Sequence, residues 1–508
     1  ALAAGVGVAL WQAREASRQR EQAEGLVEFM ITDLRKKLEP VGRLDVLDSV
    51  GDKALAYYAA QDLDRLDADS LGRRNRALHL IGDLAQQRGR LDEAERDFRQ
   101  AADSTAALLR RHPGDGQRIF DHAQSEYWVG YTQWTRGRFT DAEASFRRYL
   151  ALADRLRAIA PDNLDWRLEQ VYAATNVATA LIDLGRPAEA LATIEPAERN
   201  MADIAAARPD EAFDHATIIG WLMRAQESLG RYDAAIATAQ RKMAAARRAP
   251  NADTNASVRQ VLGTALVDIG RLQMDLGQRD AALATLRRGV ADAQALAARD
   301  PSNLDWLFDA VRTQQQLEDL LLAMGDVDGA RALDRRVADE STKLLSTPRG
   351  KAGWRIALLG HDRVLKARLA RDETERTAVV AALRDYLSDV RRYELAGSEL
   401  TPGERELVTR AGLALGDLLQ HEGKPGEAAA SWREAFDRNA PAAARGSPPA
   451  MTLQGLLCLR LGRTQEARAW ADRVLATSYR HPVFADLEDQ LGPARMAGET
   501  PGPLQGNP

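Results

Sequence analysis

Gly130-Tyr-Thr-Gln-Trp-Thr-Arg-Gly137-Arg-Phe-Thr-Asp-Ala142-Glu-Ala-Ser-Phe146 decides the fold of this chain. A helix-forming run closes on Gly137, a residue that accepts the left-handed backbone of a helix C-terminal cap. Five residues later Ala142 opens a second run, and Phe146 follows one turn on. The same phrase recurs as Gly89…Ala94, Gly185…Ala190, Gly230…Ala235, Gly277…Ala282, Gly325…Ala330, Gly423…Ala428 and Gly462…Ala467. Successive glycines are separated by 48, 48, 45, 47, 48, 98 and 39 residues, and the 98 leaves room for one degenerate copy near Asp372. A fixed period of this size predicts an all-α array of about eight to nine stacked helical hairpins, in which each repeat buries its apolar face against its neighbours.

Composition agrees. The chain has 508 residues, 45% of them hydrophobic but only 6% aromatic, and Ala, Leu, Arg, Asp and Glu dominate, as in helical proteins. Its 69 basic and 74 acidic residues leave a net charge of −5, which lacks the basic excess of a nucleic-acid binder. Arg alternates with Asp and Glu along the helices, as in Glu95-Arg-Asp-Phe-Arg99, so most charge belongs to solvated faces carrying i,i+4 pairs. The single cysteine, Cys458, stands beside Leu456, Leu457 and Leu459. It permits neither an internal disulfide nor a multi-thiolate metal site.

Small residues mark where paired helices touch. Gly82 and Ala94, Gly130 and Ala142, Gly416 and Ala428, and Gly455 and Ala467 are matched pairs. Phe98, Phe146 and Trp432 are placed to fill the grooves beside the first three. This pattern resembles the tetratricopeptide repeat, over roughly residues 70 to 480. The usual period of that repeat is about 34 residues. Here it is about 48, and the surplus falls after the aromatic residue, which predicts a long second helix. Pro161-Asp-Asn-Leu-Asp-Trp166 and Pro301-Ser-Asn-Leu-Asp-Trp306 recur as helix starts. The resemblance implies a superhelix whose first helices line a concave binding surface.

The expected organisation follows. Residues 1–11 (Ala-Leu-Ala-Ala-Gly-Val-Gly-Val-Ala-Leu-Trp) read as the end of a transmembrane helix, with Trp11 at the interface. Residues 12–69 read as juxtamembrane and capping helices, and 70–345 as six repeats. The degenerate copy is assigned to 346–405 and the last two repeats to 406–485. Residues 486–508, rich in Pro and Gly from Gly492, read as a disordered tail. With Gly25-Leu-Val-Glu-Phe-Met and Lys37-Leu-Glu-Pro-Val-Gly-Arg-Leu-Asp-Val-Leu, the chain looks like the C-terminal region of bacterial membrane-anchored signalling proteins. Those carry a serine/threonine kinase, TIR or DNA-binding effector before one membrane span. That resemblance implies a membrane-anchored, periplasmic array. Arg14, Arg18 and Arg20, next to the apolar run, argue for the cytoplasmic side.

No phosphate-binding glycine loop, nucleophile elbow or zinc-ligand spacing is present. Neither a metal nor a cofactor is expected, and the chain is read as non-enzymatic. The candidate site is a face. Gln124, Tyr127, Tyr131 and Trp134 share one stripe of a first helix, His79, Asp83 and Gln86 hold matching places one repeat earlier, and Tyr172 and Thr175 one repeat later. Aromatic anchors beside polar groups suit a peptide or protein ligand. The competing reading is that these aromatics are core. The expected function is a protein- or peptide-docking arm of a signalling protein. The alternative is an oligomerisation scaffold or spacer, with homo-oligomers formed through residues 12–38.

Overall fold

The computed structural model describes residues 66–492 apart from residues 88, 251, 253, 302 and 347–351, together with 15, 18, 22–25, 53, 56–58 and 63. Among these residues there are helices and turns and no strand. The chain divides into two units.

The first unit runs to Trp221 and includes the short segments Ser346–Ala352 and Tyr393–Glu399. Its hairpins are α1 (Ala68–Gln87) with α2 (Leu91–Arg111), α3 (Gly116–Thr135) with α4 (Phe139–Ile159), and α5 (Leu164–Asp183) with α6 (Pro187–Ala207). It ends in the first part of α7 (Ala212–Ser228). Each second helix also packs on the next first helix, α2 on α3 and α4 on α5, so no hairpin covers its apolar face alone.

The second unit holds the rest of α7, then α8 (Tyr232–Ala246), α9 (Ala256–Asp275), α10 (Arg279–Arg299), α11 (Leu304–Ala323) and α12 (Val327–Leu345). After these come α13 (Ala352–Leu369), α14 (Glu373–Leu395), α15 (Pro402–His421), α16 (Pro425–Ala444), α17 (Pro448–Arg460), α18 (Thr464–Leu475) and α19 (Pro482–Leu491).

All eight turn glycines of the repeat have positive φ, from 71° at Gly230 to 83° at Gly325. At Gly137 the two cap bonds are both made. Gly137 donates to the Trp134 carbonyl at 2.9 Å and Arg138 to the Gln133 carbonyl at 2.9 Å. This is the Schellman arrangement, which needs left-handed backbone at the glycine. The helix starts are equally local. Asn163 accepts from the Asp165 and Trp166 amides, Asn303 from Trp306 and Asp115 from Gln117 and Arg118, satisfying amides that no helical carbonyl reaches. The close approaches are real. A Cβ on Gly82 would lie 2.8 Å from the Phe98 ring, and one on Gly130 2.7 Å from Phe146. Gly416 is covered by Trp432 in the same way.

The second helices α2, α4 and α6 are 21 residues long, and the first helices α1, α3 and α5 reach 20. The long period therefore lengthens both arms of the hairpin. The hairpin α13–α14 turns at Ala370–Asp372 with no glycine. It keeps its contact through Gly360, which faces Tyr386, and the Tyr386 hydroxyl donates to the Ile356 carbonyl at 3.2 Å.

Membrane anchorage is corrected. Among the described residues no helix is long and apolar enough to cross a membrane. Residues 1–11, read as the end of a span, lie outside the described residues. Most of residues 12–69 also lie outside them. Of those described, Tyr58 is fully buried against Ala77 and Ile81 of α1. Helix α19 continues to Leu491, inside the segment read as tail, and residues 493–508 lie outside the described residues.

Candidate functional site

Counting back from each turn glycine, the candidate residues occupy four register positions of the first helices, three, six, ten and thirteen residues before it. In the first unit these positions place the side chains at the junction between consecutive first helices. His79 Nε2 lies 3.1 Å from the Ser125 hydroxyl of α3. The Gln86 side-chain oxygen accepts from Thr132 at 3.1 Å. Gln124 of α3 donates to Glu169 of α5, and the Trp134 indole donates to Asp183 of α5 at 2.7 Å. Tyr172 of α5 donates to Asp214 of α7. The face is thus a ladder of side chains reaching about one repeat forward. Asp83 stands half-buried beside His79 and attracts it electrostatically. Thr175 is buried, and its hydroxyl turns back to the Val171 carbonyl at 2.8 Å, so it does not join the open face.

The aromatic stripe is continuous and half-buried. The Tyr131 ring centroid is 5.9 Å from Tyr127, 5.9 Å from Trp128 and 6.1 Å from Trp134. Tyr127 packs on toward Tyr149 of α4 at 5.8 Å, and burial pushes its hydroxyl pKa up to about 12. The Tyr149 hydroxyl donates to Glu169, whose carboxyl burial holds above its ordinary range. Tyr127 and Trp134 are therefore half-buried and tied to neighbouring helices. Tyr131 differs, because its ring has aromatic neighbours on both sides while its hydroxyl makes no hydrogen bond among the described residues.

Histidines add a pH dependence. Burial pushes His79 down to about 4 against the pull of Asp83, and holds His122 at about 4 together with Arg148. Between about pH 6.5 and about 4 the unfolded chain takes up protons that the folded unit refuses, so stability falls as pH drops through that window. His79→Gln is expected to flatten part of this slope. Urea unfolding of both proteins at pH 7 and pH 5 checks it, and equal pH slopes would refute the assignment.

Ionic contacts bracket neighbouring repeats on the second-helix side. Arg138, next to the turn glycine, donates to both Glu95 oxygens at 3.1 and 3.0 Å, and Arg186 reaches Glu143 at 2.6 Å. The signal was in the sequence, as an Arg after the turn glycine and a Glu after the packing alanine of the preceding repeat.

Sequence reading missed the interior of the second unit. There α17–α19 close onto α8 and α9. Tyr232 meets Tyr479 at 5.9 Å, the Arg480 amide donates to the Asp275 carbonyl at 2.6 Å, and Met223, Leu272, Phe484 and Leu487 share one apolar cluster. Inside, the first-helix positions carry charge. Arg271 donates to Glu227 at 2.8 Å, Arg410 lies 3.5 Å from Asp319, and His361 stands 3.5 Å from Glu318 and 3.6 Å from Asp319. Burial pushes Asp275 well above the usual carboxylate range, and burial together with the Arg410 cation takes His481 down to about 3. Burial opposes ionisation of Asp319 as well, yet His361 and Arg410 together hold it at about 2. Among the described residues no group of three or more His, Cys, Asp or Glu side chains could hold a metal ion.

Paired helices with small contact residues, glycine-capped turns and side-by-side stacking define a tetratricopeptide-like repeat array, a class that binds proteins and peptides. Family profiles of the tetratricopeptide repeat match residues 76–114, 171–196 and 448–473. No curated protein matches the chain. Among solved structures the chain is similar to a Rap protein complexed with competence and sporulation factor, at 10% identity and TM-score 0.48, covering 83% of this chain and 99% of that one. It is similar to aspartyl phosphate phosphatase F from Bacillus subtilis, at 13% identity and TM-score 0.48, covering 76% and 93%. A third likeness is to the apo quorum sensor NprR from B. thuringiensis, at 12% identity and TM-score 0.45, covering 84% and 99%. These likenesses concern the fold alone.

Proposed function

We propose that the chain is a non-catalytic docking module that binds an extended protein or peptide segment on the first-helix face of α1, α3 and α5. The observation that carries the reading is Tyr131. It lies at the centre of an aromatic stripe, half-exposed, with an unused hydroxyl. Trp134 and Gln124, by contrast, spend their donors on α5. A tyrosine so placed offers a rigid apolar surface and a hydrogen-bonding tip at small entropic cost. His79, Asp83 and Gln86 extend the same face on α1, and Tyr172 extends it on α5. His79, His122, Glu169 and Asp183 are engaged in contacts between helices.

The test is selection of a displayed peptide library on the full chain, followed by affinity measurement against Tyr131→Ala. Loss of a central aromatic anchor is expected to weaken binding by about tenfold or more, with the melting temperature nearly unchanged. Selected peptides that bind Y131A as tightly as the parent chain would place docking elsewhere. Trp134→Ala serves as the contrast. Because the indole is tied to Asp183, that variant is expected to lower stability as well as binding.

A further inference from the structure

The hairpin α11–α12 breaks the packing rule of the array. Seven residues before the turn glycine, other hairpins carry Gly82, Gly130, Ala178, Gly270, Gly416 and Gly455, but α11 carries Glu318. Four residues after the packing alanine, where Phe98, Phe146, Leu286 and Trp432 fill the groove, α12 carries Asp334. Glu318 is 1% exposed, and neither of its oxygens has a hydrogen-bond partner among the described residues. It faces a histidine of the next hairpin. His361 of α13 is buried, with Nε2 3.5 Å from Glu318 and Nδ1 3.6 Å from Asp319. Charged groups from each packed element surround this cluster. Helix α12 brings Asp334, and α13 itself brings Arg368 and Asp362, which is paired with Lys366 at 2.6 Å. Helix α15 brings Arg410, 3.5 Å from Asp319, and Glu404, beside Gly353 at the start of α13. His481, just before α19, also faces Asp319. From α14 comes the Tyr386 phenol, which donates to the Ile356 carbonyl. Two further ties join α11 to α13, the stacked rings of Phe308 and Trp354 at 4.5 Å and the Gln315 amide donating to the Leu358 carbonyl at 3.3 Å.

Both ring nitrogens of His361 thus face carboxylates of α11. A neutral imidazole has one N–H and an imidazolium has two, so only the protonated ring donates to both. We propose that His361 is a proton-held clamp between α11 and α13, which loosens when rising pH takes one ring proton and leaves Glu318 without a donor. The asymmetry comes from the surroundings. Asp319 keeps Arg410 when the ring is neutral, whereas the other charged groups facing Glu318 are the carboxylates Asp334 and Asp319. A buried carboxylate stripped of its donor destabilises the contact that holds it. The sign is consistent. Burial holds the carboxyls of Glu318 and Asp334 above their ordinary range, so their contribution is present in acid and is lost as pH rises through those raised values. Asp319 works in the opposite direction, because His361 and Arg410 overcome its burial and hold it at about 2, but its loss falls below about pH 4. The clamp does not depend on what the chain docks.

The experiment follows hydrogen exchange of the full chain by peptide at pH 5 and pH 9, corrected for intrinsic exchange rates. Peptides from α11 and α13 are expected to exchange about tenfold or more faster at pH 9, the effect of leaving a buried carboxylate without a donor. Glu318→Gln keeps the shape and removes the charge, so it should abolish that difference while its melting temperature at pH 9 stays level or rises. The double variant Glu318→Ala, Asp334→Leu restores the small and large pair of the other hairpins. It should also lose the pH difference, and it keeps the test alive if the single variant folds poorly. Spectra of the protein carrying 15N-labelled histidine, with the His361 signals assigned from H361Q, should show two protonated ring nitrogens while α13 is protected and one when it is not. Equal exchange of the α11 and α13 peptides at the two pH values overturns the proposal. So does a full pH difference retained in E318Q and in the double variant, or a single protonated nitrogen on His361 in the protected state, either of which would make the cluster a fixed polar contact.

Discussion

Phe146→Ala is expected to cost the first unit about 3–5 kcal/mol, the range for truncating a buried phenylalanine. Phe146 is 1% exposed, and its ring lies against the backbone of Gly130, where a Cβ would sit 2.7 Å from ring carbons. The missing side chain of Gly130 and the presence of Phe146 are thus one packing decision made at two positions sixteen residues apart. Truncating the ring leaves a cavity where the Phe146 ring of α4 lies against the Gly130 backbone of α3, and that close contact leaves little freedom to collapse. The chain has two units, so a single unfolding free energy is not well defined. The better readout is hydrogen exchange resolved by peptide, in which α3 and α4 should lose protection first. The coupling gives a second check. Gly130→Ala alone is expected to destabilise, because the ring must move. In the F146A background the same change adds a methyl to an empty groove, so it should be neutral or stabilising. Additive effects of the two substitutions would show that the glycine and the ring are independent.

That pair also shows why so much of the fold was legible in the sequence. The eight turn glycines are needed for a backbone conformation that few other residues adopt, and all eight have it. The small residues are needed for contact between helices, so their spacing prints the hairpin directly. Function is written less plainly. The face positions tolerate any side chain that can reach the next helix, and each array fills them differently. His79, Gln86, Gln124, Trp134 and Tyr172 were singled out by helical spacing, but nothing in the sequence showed that each spends its polar group on the following repeat. In the second unit the same register carries Arg271, Asp319, Arg312 and Arg410. These were passed over as ordinary helix charges, since composition alone cannot separate an inward arginine from a solvated one. The signal was the register, counted back from Gly277, Gly325 and Gly423. Closure of that interior by Tyr479, Phe484 and Leu487 depends on contacts more than two hundred residues apart in sequence, which no local pattern encodes.

Glu95→Ala is expected to be the most damaging single charge deletion in the first unit. The carboxylate is 4% exposed and takes three guanidinium groups. Arg99 lies at 2.6 Å from within α2, while Arg136 and Arg138 reach across from the turn of the next hairpin. Removing one partner of a buried ion pair costs about 3–5 kcal/mol when the other charge is stranded in a dry interior. Here the stranded charges reach water, with Arg136 and Arg138 about a quarter exposed and Arg99 about half, so about 2–3 kcal/mol is the better expectation. The arginines should matter less singly, because the carboxylate keeps two partners when any one is lost. Arg99→Ala, the most exposed, should cost under about 1 kcal/mol. Glu143 is the equivalent residue one repeat later, paired with Arg147 and Arg186 and 12% exposed, so Glu143→Ala should fall between the two. The ranking Glu95, then Glu143, then Arg99 can be read from denaturant titrations or from hydrogen exchange at the α3–α4 turn. Because Glu95 is buried, the E95A effect should persist at 1 M salt, where exposed pairs are screened within about 3 Å. An E95A effect that disappears in high salt, or a Glu143 effect larger than that of Glu95, would mean that the repeats are joined by apolar packing alone and that the turn arginines are ornaments of the surface.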